Sequence, residues 1–225
     1  MKRLRFIFLL ITTVCFAQTK DSISDKYLED QLYVGITYNT LNSLPRGEGI
    51  QQNGFSNGIF LGFIKDLPIN EQRNFGFGLG IGYGRNTYFQ NILITEENNT
   101  TVFDVVSNFK RNKFSLHTLE LPIEVRLRTS TIDKYKFWRI YTGLKLAYVF
   151  ASNAKLIKDG MTTKVKGISE VEKLQYGITL GAGYGTWNLN IYYGLSNIFS
   201  GAQLKDTNAS IKPRDLRIGL IFYIL

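Results

Sequence analysis

Alternation with a period of two, sustained over about ten residues at a time, constrains this chain more than any other feature. It demands extended strands with two unlike faces. The clearest case is FGFGLGIGYG, where Phe75, Phe77, Leu79, Ile81 and Tyr83 alternate with Gly76, Gly78, Gly80, Gly82 and Gly84. A soluble strand is weakened by interior glycines, which cost backbone entropy and leave nothing to pack. A narrow closed barrel accepts them: missing side chains relieve crowding in the lumen and permit curvature, while the other face meets lipid.

The same period recurs in seven other segments. Leu32, Val34, Ile36 and Tyr38 share one face of the first, and Phe55, Ile59, Leu61 and Phe63 one face of the second. In LELPIEVRLR, Leu119, Leu121, Ile123, Val125 and Leu127 oppose Glu120, Glu124, Arg126 and Arg128. Trp138, Ile140, Leu144, Leu146, Tyr148 and Phe150 then oppose Arg139, Tyr141, Gly143 and Lys145. Further runs place Leu174 to Tyr184, Leu189 to Leu195, and Leu216 to Ile224 in the same two-faced pattern, the last over Arg217, Gly219 and Tyr223. About ten residues is the length a tilted strand needs to cross a bilayer.

The connections alternate in length. Those around Asp66–Arg73, Thr129–Lys136 and Gly185–Asn188 are short; Asn42–Asn53, Asn86–Asn112, Ala151–Lys173 and Asn197–Pro213 are longer and polar. Such asymmetry marks barrels with short periplasmic turns and long extracellular loops. The expected fold is therefore all-β: a transmembrane, antiparallel, up-and-down β-barrel of about eight strands with both termini periplasmic. Trp138 and Trp187 beside the turns, and Tyr38, Tyr88, Tyr148 and Phe150 near loop ends, fall where interfacial girdles form. A soluble β-sandwich would also alternate, but it would not need charged residues along one face of its central strands.

The N-terminus fits export to that destination. Lys2, Arg3 and Arg5 precede the apolar stretch Phe6 to Phe16, which is too short for a membrane-spanning helix. Cys15 and Ala17 stand at the −3 and −1 positions of a cleavage site before Gln18. Residues 1–17 are thus expected to be a signal peptide, 18–30 a periplasmic segment and 31–225 the barrel domain. The competing lipoprotein anchor at Cys15 has Val14 where a small residue belongs. Cleavage would remove the only cysteine and take the formal net charge from +9 to +6, leaving no disulfide framework or reactive thiolate. The mean hydropathy of −0.08 is what alternating lipid-facing and lumen-facing residues produce. No basic run follows Arg5, so nucleic acid is not an expected partner.

Inside an eight-stranded barrel there is room for side chains and little else. The inward set includes Glu120, Glu124, Arg126, Arg128, Arg139, Lys145 and Arg217. Buried charges need partners, so Glu120 and Glu124 are expected to be neutralised by Arg126, Arg139 and Lys145, and the network to act as a plug. Glu120 and Glu124 lie roughly 13 Å apart along a strand, too far for paired acid–base chemistry. Open channels need about 16 strands, so this is not expected to be a conduit for folded proteins. His117, the only histidine, follows Ser115 by two residues on one face, a nucleophile–base spacing with no carboxylate obviously placed to orient the imidazole. No metal-ligand cluster is present, and FGFGLGIGYG, with no helix after it, is no phosphate loop. Neither enzyme activity nor a cofactor is expected. Lys155, Lys158, Lys164 and Lys166, against Asp159, Glu170 and Glu172, lie in a long segment that could be a solvated loop or could touch lipopolysaccharide phosphates.

Around Leu119, Glu120, Leu121, Pro122 and Ile123 the chain resembles the outer-membrane β-barrel proteins of Bacteroidetes, which carry a similar Leu-Glu-(Ile/Leu)-Pro-Leu/Ile stretch in a middle strand. The end of the chain, with Arg217, Gly219, Phe222 and Ile224 followed by Leu225, is similar to the signal read by the barrel-assembly machinery, although the usual terminal Phe is missing. Together with LELPIEVRLRTST, the block KFWRIYTGLKLAY (Lys136–Tyr148) resembles the PorT family of the type IX secretion system. The two blocks cover under a fifth of the chain. The resemblance implies an accessory role in protein export across the outer membrane and, in gliding species, in adhesin display. It implies partners among other type IX components, and no catalytic residues. A general surface barrel with ligand-binding loops and a lipid A modifying enzyme remain the alternatives.

Overall fold

The computed structural model describes residues 30–70, 72, 74–98, 100–129 and 138–224. The expected signal peptide, all but Asp30 of the segment 18–30, and most of the turn at Thr129–Lys136 lie outside these residues. Among the described residues every regular element is a strand: β1 (Gln31–Asn42), β2 (Asn57–Pro68), β3 (Phe75–Phe89), β4 (Ile92–Glu97), β5 (Thr100–Val105), β6 (Arg111–Arg128), β7 (Trp138–Lys158), β8 (Met161–Lys166), β9 (Leu174–Tyr184), β10 (Trp187–Gly194) and β11 (Arg214–Ile224).

Eight of them close a ring in the order β1-β2-β3-β6-β7-β9-β10-β11, every neighbour antiparallel. The last strand pairs with the first from Leu32↔Ile224 to Asn42↔Arg214, which leaves no free edge. All long connections lie at one end of the ring and all short ones at the other. The tightest joins Tyr184 to Trp187 through Gly185 and Thr186, with Gly185 at φ 57°, a conformation that suits glycine at the first position of a two-residue hairpin.

The faces are inverted relative to a soluble protein. Leu32, Ile36, Leu61, Leu79, Leu121, Leu144, Leu180 and Leu220 are exposed on the outside, while the inside holds buried Asp, Glu, Arg and Lys side chains. This excludes the β-sandwich, whose apolar faces would be the buried ones. The outward apolar pattern also ends at a definite height. On β6 the outward residues are apolar from Leu127 up to Leu119; above it the half-exposed His117 and Lys113 and the buried Ser115 take that face, while Leu116 and Phe114 turn in and are buried. On β7 the change follows Phe150, where β6 and β7 slip register between His117 and Thr118. A β-bulge there lets the strands re-aim their side chains. Below the change the outside suits lipid; above it, water. The nine-residue span Leu119–Leu127 fits a tilted strand in a hydrocarbon layer.

The long segments are more structured than polar loops. Asn86–Asn112 contains the upper turn of β3 and the β4–β5 hairpin, and Ala151–Lys173 contains the upper half of β7 and β8 paired against it. With the connection between β10 and β11 they form a second apolar core above the membrane, in which Ile92, Phe103, Phe114, Ile198, Phe199 and Ile211 are completely or almost completely buried. Phe199 packs on Phe103 and Phe114 with ring centroids 5.4 and 5.2 Å away. Tyr88 joins this core, stacked on Phe114 at 4.9 Å, and is therefore not an interfacial girdle residue. Its even position on β3 points inward, where the cap rather than the membrane receives it. Tyr38, Tyr148, Trp138 and Trp187 do lie on the outer face.

Lumenal glycines make room for rings. Gly181 is in register with Tyr141, and Gly35 with Phe60; a Cβ on either glycine would collide with the partner ring. Gly181→Ala is expected to destabilise the barrel by about 1–3 kcal/mol through overpacking. Gly181→Ala with Tyr141→Leu should recover part of that loss, read as unfolding midpoints in urea.

Candidate functional site

The lumen is filled by two tiers of charge around an aromatic waist. In the tier nearer the loops, Glu120 receives Lys145 Nζ at 3.0 Å and Arg217 Nη1 at 3.3 Å on its two oxygens. Arg217 Nε also donates to Asp215, whose other contact is the Tyr88 hydroxyl at 2.7 Å. Lys145 lies 5.0 Å above the Phe60 ring and Arg217 4.3 Å above Tyr192, so each cation has both an anion and a ring. In the tier nearer the turns, Arg126 Nε meets Glu124 at 3.2 Å and Arg128 meets Asp66 at 2.6 Å. Arg126 and Arg139 both donate to Gln31 Oε1, at 3.3 and 3.1 Å, and both stack over Tyr223. Tyr33, Phe60, Tyr141 and Tyr223, with Ile64 and Ile221, form the waist.

Four carboxylates (Asp66, Glu120, Glu124, Asp215) thus face five cations (Arg126, Arg128, Arg139, Lys145, Arg217), all buried. The inward set expected from the sequence contains seven of these nine and leaves out Asp66 and Asp215. Asp66 continues the inward series Phe60, Gly62, Ile64 of β2 but resembles a turn residue. Asp215 precedes Arg217 by two and shares its face. Arg217 is the second cation on Glu120, a partnership across the ring that local sequence does not indicate.

Pro122, in the middle of β6, is buried against Gly80. The β3–β6 ladder skips from Leu79↔Ile123 to Gly82↔Glu120, as a residue without an N–H requires. On either side of it Leu119, Leu121 and Ile123 face outward and Glu120 faces in. In the closing strand Arg217 and Gly219 face the lumen, Phe222 packs edge-on against Trp187 at 4.6 Å, and Ile224 is exposed outward. Ser115 and His117 do not meet as a nucleophile and base. Ser115 Oγ is 3.0 Å from Thr87 Oγ1, and His117 Nδ1 is 2.6 Å from the Tyr83 hydroxyl. Among the described residues no group of acidic, His or Cys side chains could hold a metal.

A closed eight-stranded barrel with an apolar exterior, a charged lumen and all its long connections at one end is an outer-membrane barrel protein. Its sequence matches the outer membrane protein beta-barrel domain family over residues 16–200, and the chain belongs to that family. No curated protein matches it. Among solved structures it is similar to Ail, the attachment invasion locus protein of Yersinia pestis, at 12% identity and a TM-score of 0.33, over 88% of this chain and 100% of that one.

Proposed function

We propose that this barrel is a non-enzymatic accessory component of type IX protein secretion, contacting other secretion components through its rim and periplasmic segment. The observation that carries the reading is the double closure. Ionic tiers fill the lumen, and a separate apolar core seals the loop end. Such a barrel has surfaces to offer rather than a passage. The likeness of Leu119–Arg128 and Lys136–Tyr148 to PorT proteins supplies the particular system, and with it adhesin display in gliding Bacteroidetes. Its orientation in this reading is loops outward and both termini periplasmic, with insertion by the barrel-assembly machinery acting on the β11 end.

The packed cap favours a second reading, a surface barrel whose folded loops bind an external ligand. Deletion distinguishes the two. Loss of a broad set of type IX cargo from the medium and cell surface, measured by mass spectrometry and restored by wild type and by His117→Ala alike, is the expected result. An unchanged secreted set would overturn the secretion role. Restoration by wild type alone would overturn the non-enzymatic one.

A further inference from the structure

Directly above the lipid belt, the outer faces of β6, β7 and β8 carry a ledge of cations. Register sets Lys113 of β6 opposite Lys155 of β7, and Lys155 opposite Lys164 of β8. Lys166 stands opposite Asn153 on the same face, and Arg85 of β3 stands opposite His117. Like charges directly across a sheet repel. No ion pair relieves these lysines among the described residues, whereas the exposed Lys205 holds Glu97 at 3.0 Å. Burial first, then Arg85, Arg111 and Lys155, hold the Lys113 ammonium below its ordinary pKa. Asp159, Glu170 and Glu172 lie in the same segment of chain, yet none of them pairs with the ledge.

The ledge is also concave. A groove of about 520 Å³ runs between Lys113, Lys155, Lys164 and Lys166, with His117 and Phe150 at its lower edge. Phe150 is the last large exposed apolar residue of β7, and its ring neighbours Tyr83 at 6.2 Å. Asn153, beside Lys166, is three residues higher, about 10 Å along the strand. On a strand tilted by about 40° that is about 8 Å of height, so the ammonium groups stand in the polar headgroup layer just above the hydrocarbon. The groove thus offers several ammonium groups above and an aromatic, lipid-facing wall below, in one continuous surface.

We propose that this ledge binds the phosphate-bearing headgroup of an outer-leaflet lipid, the lysines meeting phosphate oxygens while the acyl chains lie below Phe150. A free anion would use only the upper half of the groove. An acidic protein segment would not need the continuity with the belt. The proposal rests on the orientation given above and is independent of the secretion role.

The test uses full-length protein in a sugar-based detergent, with native mass spectrometry of bound bisphosphorylated lipid A, its phosphate-free counterpart and inorganic phosphate. One variant carries Lys113→Gln, Lys155→Gln, Lys164→Gln and Lys166→Gln. A charge-matched control carries Arg46→Gln, Lys65→Gln, Lys205→Gln and Lys212→Gln, and heat-modifiable gel mobility verifies that both are folded. Each lysine near an anionic surface is worth about fivefold in binding, and screening leaves at least about tenfold for the four together. The expected result is that loss in the ledge variant alone, for the phosphorylated lipid alone. Equal loss in the control, equal retention of the phosphate-free lipid, or full competition by inorganic phosphate would overturn the site. In parallel, Lys166→Cys is probed on intact cells with an impermeant maleimide. Labelling without lipid binding overturns the site and keeps the orientation. Binding without labelling overturns the orientation and the outer-leaflet assignment together.

Discussion

Glu120→Ala is expected to lower the stability of the barrel by about 3–5 kcal/mol, the scale on which removing one member of a buried ion pair leaves its partner uncompensated. The loss belongs at the upper end of that range because two cations depend on this one carboxylate, Lys145 at 3.0 Å and Arg217 at 3.3 Å. Arg217 would retain Asp215 and the Tyr192 ring. Lys145 would retain only the faces of Phe60 and Tyr192, and so bears most of the penalty. Glu120→Ala combined with Lys145→Met should therefore recover a substantial part of the loss, since apolar groups of similar volume often replace a buried ion pair at little cost. Urea unfolding in phospholipid vesicles measures both. A Glu120→Ala loss below 1 kcal/mol would mean that water reaches the lumen and screens these charges.

The difference between what was readable in the sequence and what was not follows from range. Period two is local, so the outward residues of each strand, and the eight-strand count, follow from FGFGLGIGYG and its fellows without tertiary information. Which charges meet is not local. Glu120 and Arg217 come from different strands, and only ring closure and shear bring them together. The cap was hidden for another reason. Ile92, Phe103, Ile198, Phe199 and Ile211 sit in short apolar clusters within polar stretches, too brief to establish a period. Their burial depends on the height to which β6 and β7 continue above the membrane. That continuation did leave a trace, in the exchange of apolar and polar phases between Leu119 and Leu116. An unchanged face along all of β6 would have required lipid to its top; the exchange marks the edge of the hydrocarbon instead.

Leu144→Arg tests where that hydrocarbon lies. Leu144 stands midway along the outward series from Trp138 to Phe150, between Ile123 and Ile178 on the neighbouring strands, and all three are exposed. At the midplane of a bilayer an arginine on the lipid face costs about 2–4 kcal/mol, falling to about 0–1 near the interfaces. Trp138→Arg, at the turn end of the same face, should therefore cost much less than Leu144→Arg when both are unfolded from vesicles. A surface substitution in water would shift stability by no more than about 0.5 kcal/mol at either position. Equal, small losses would place this face in solvent. The expected steep difference between two residues on one strand ties the outer face to a medium whose polarity changes with depth. The neighbour of Leu144 sharpens the contrast: Lys145 is charged, buried and matched to Glu120. One step along the backbone exchanges a position that excludes charge for one that requires it, which is the period-two pattern expressed as free energy.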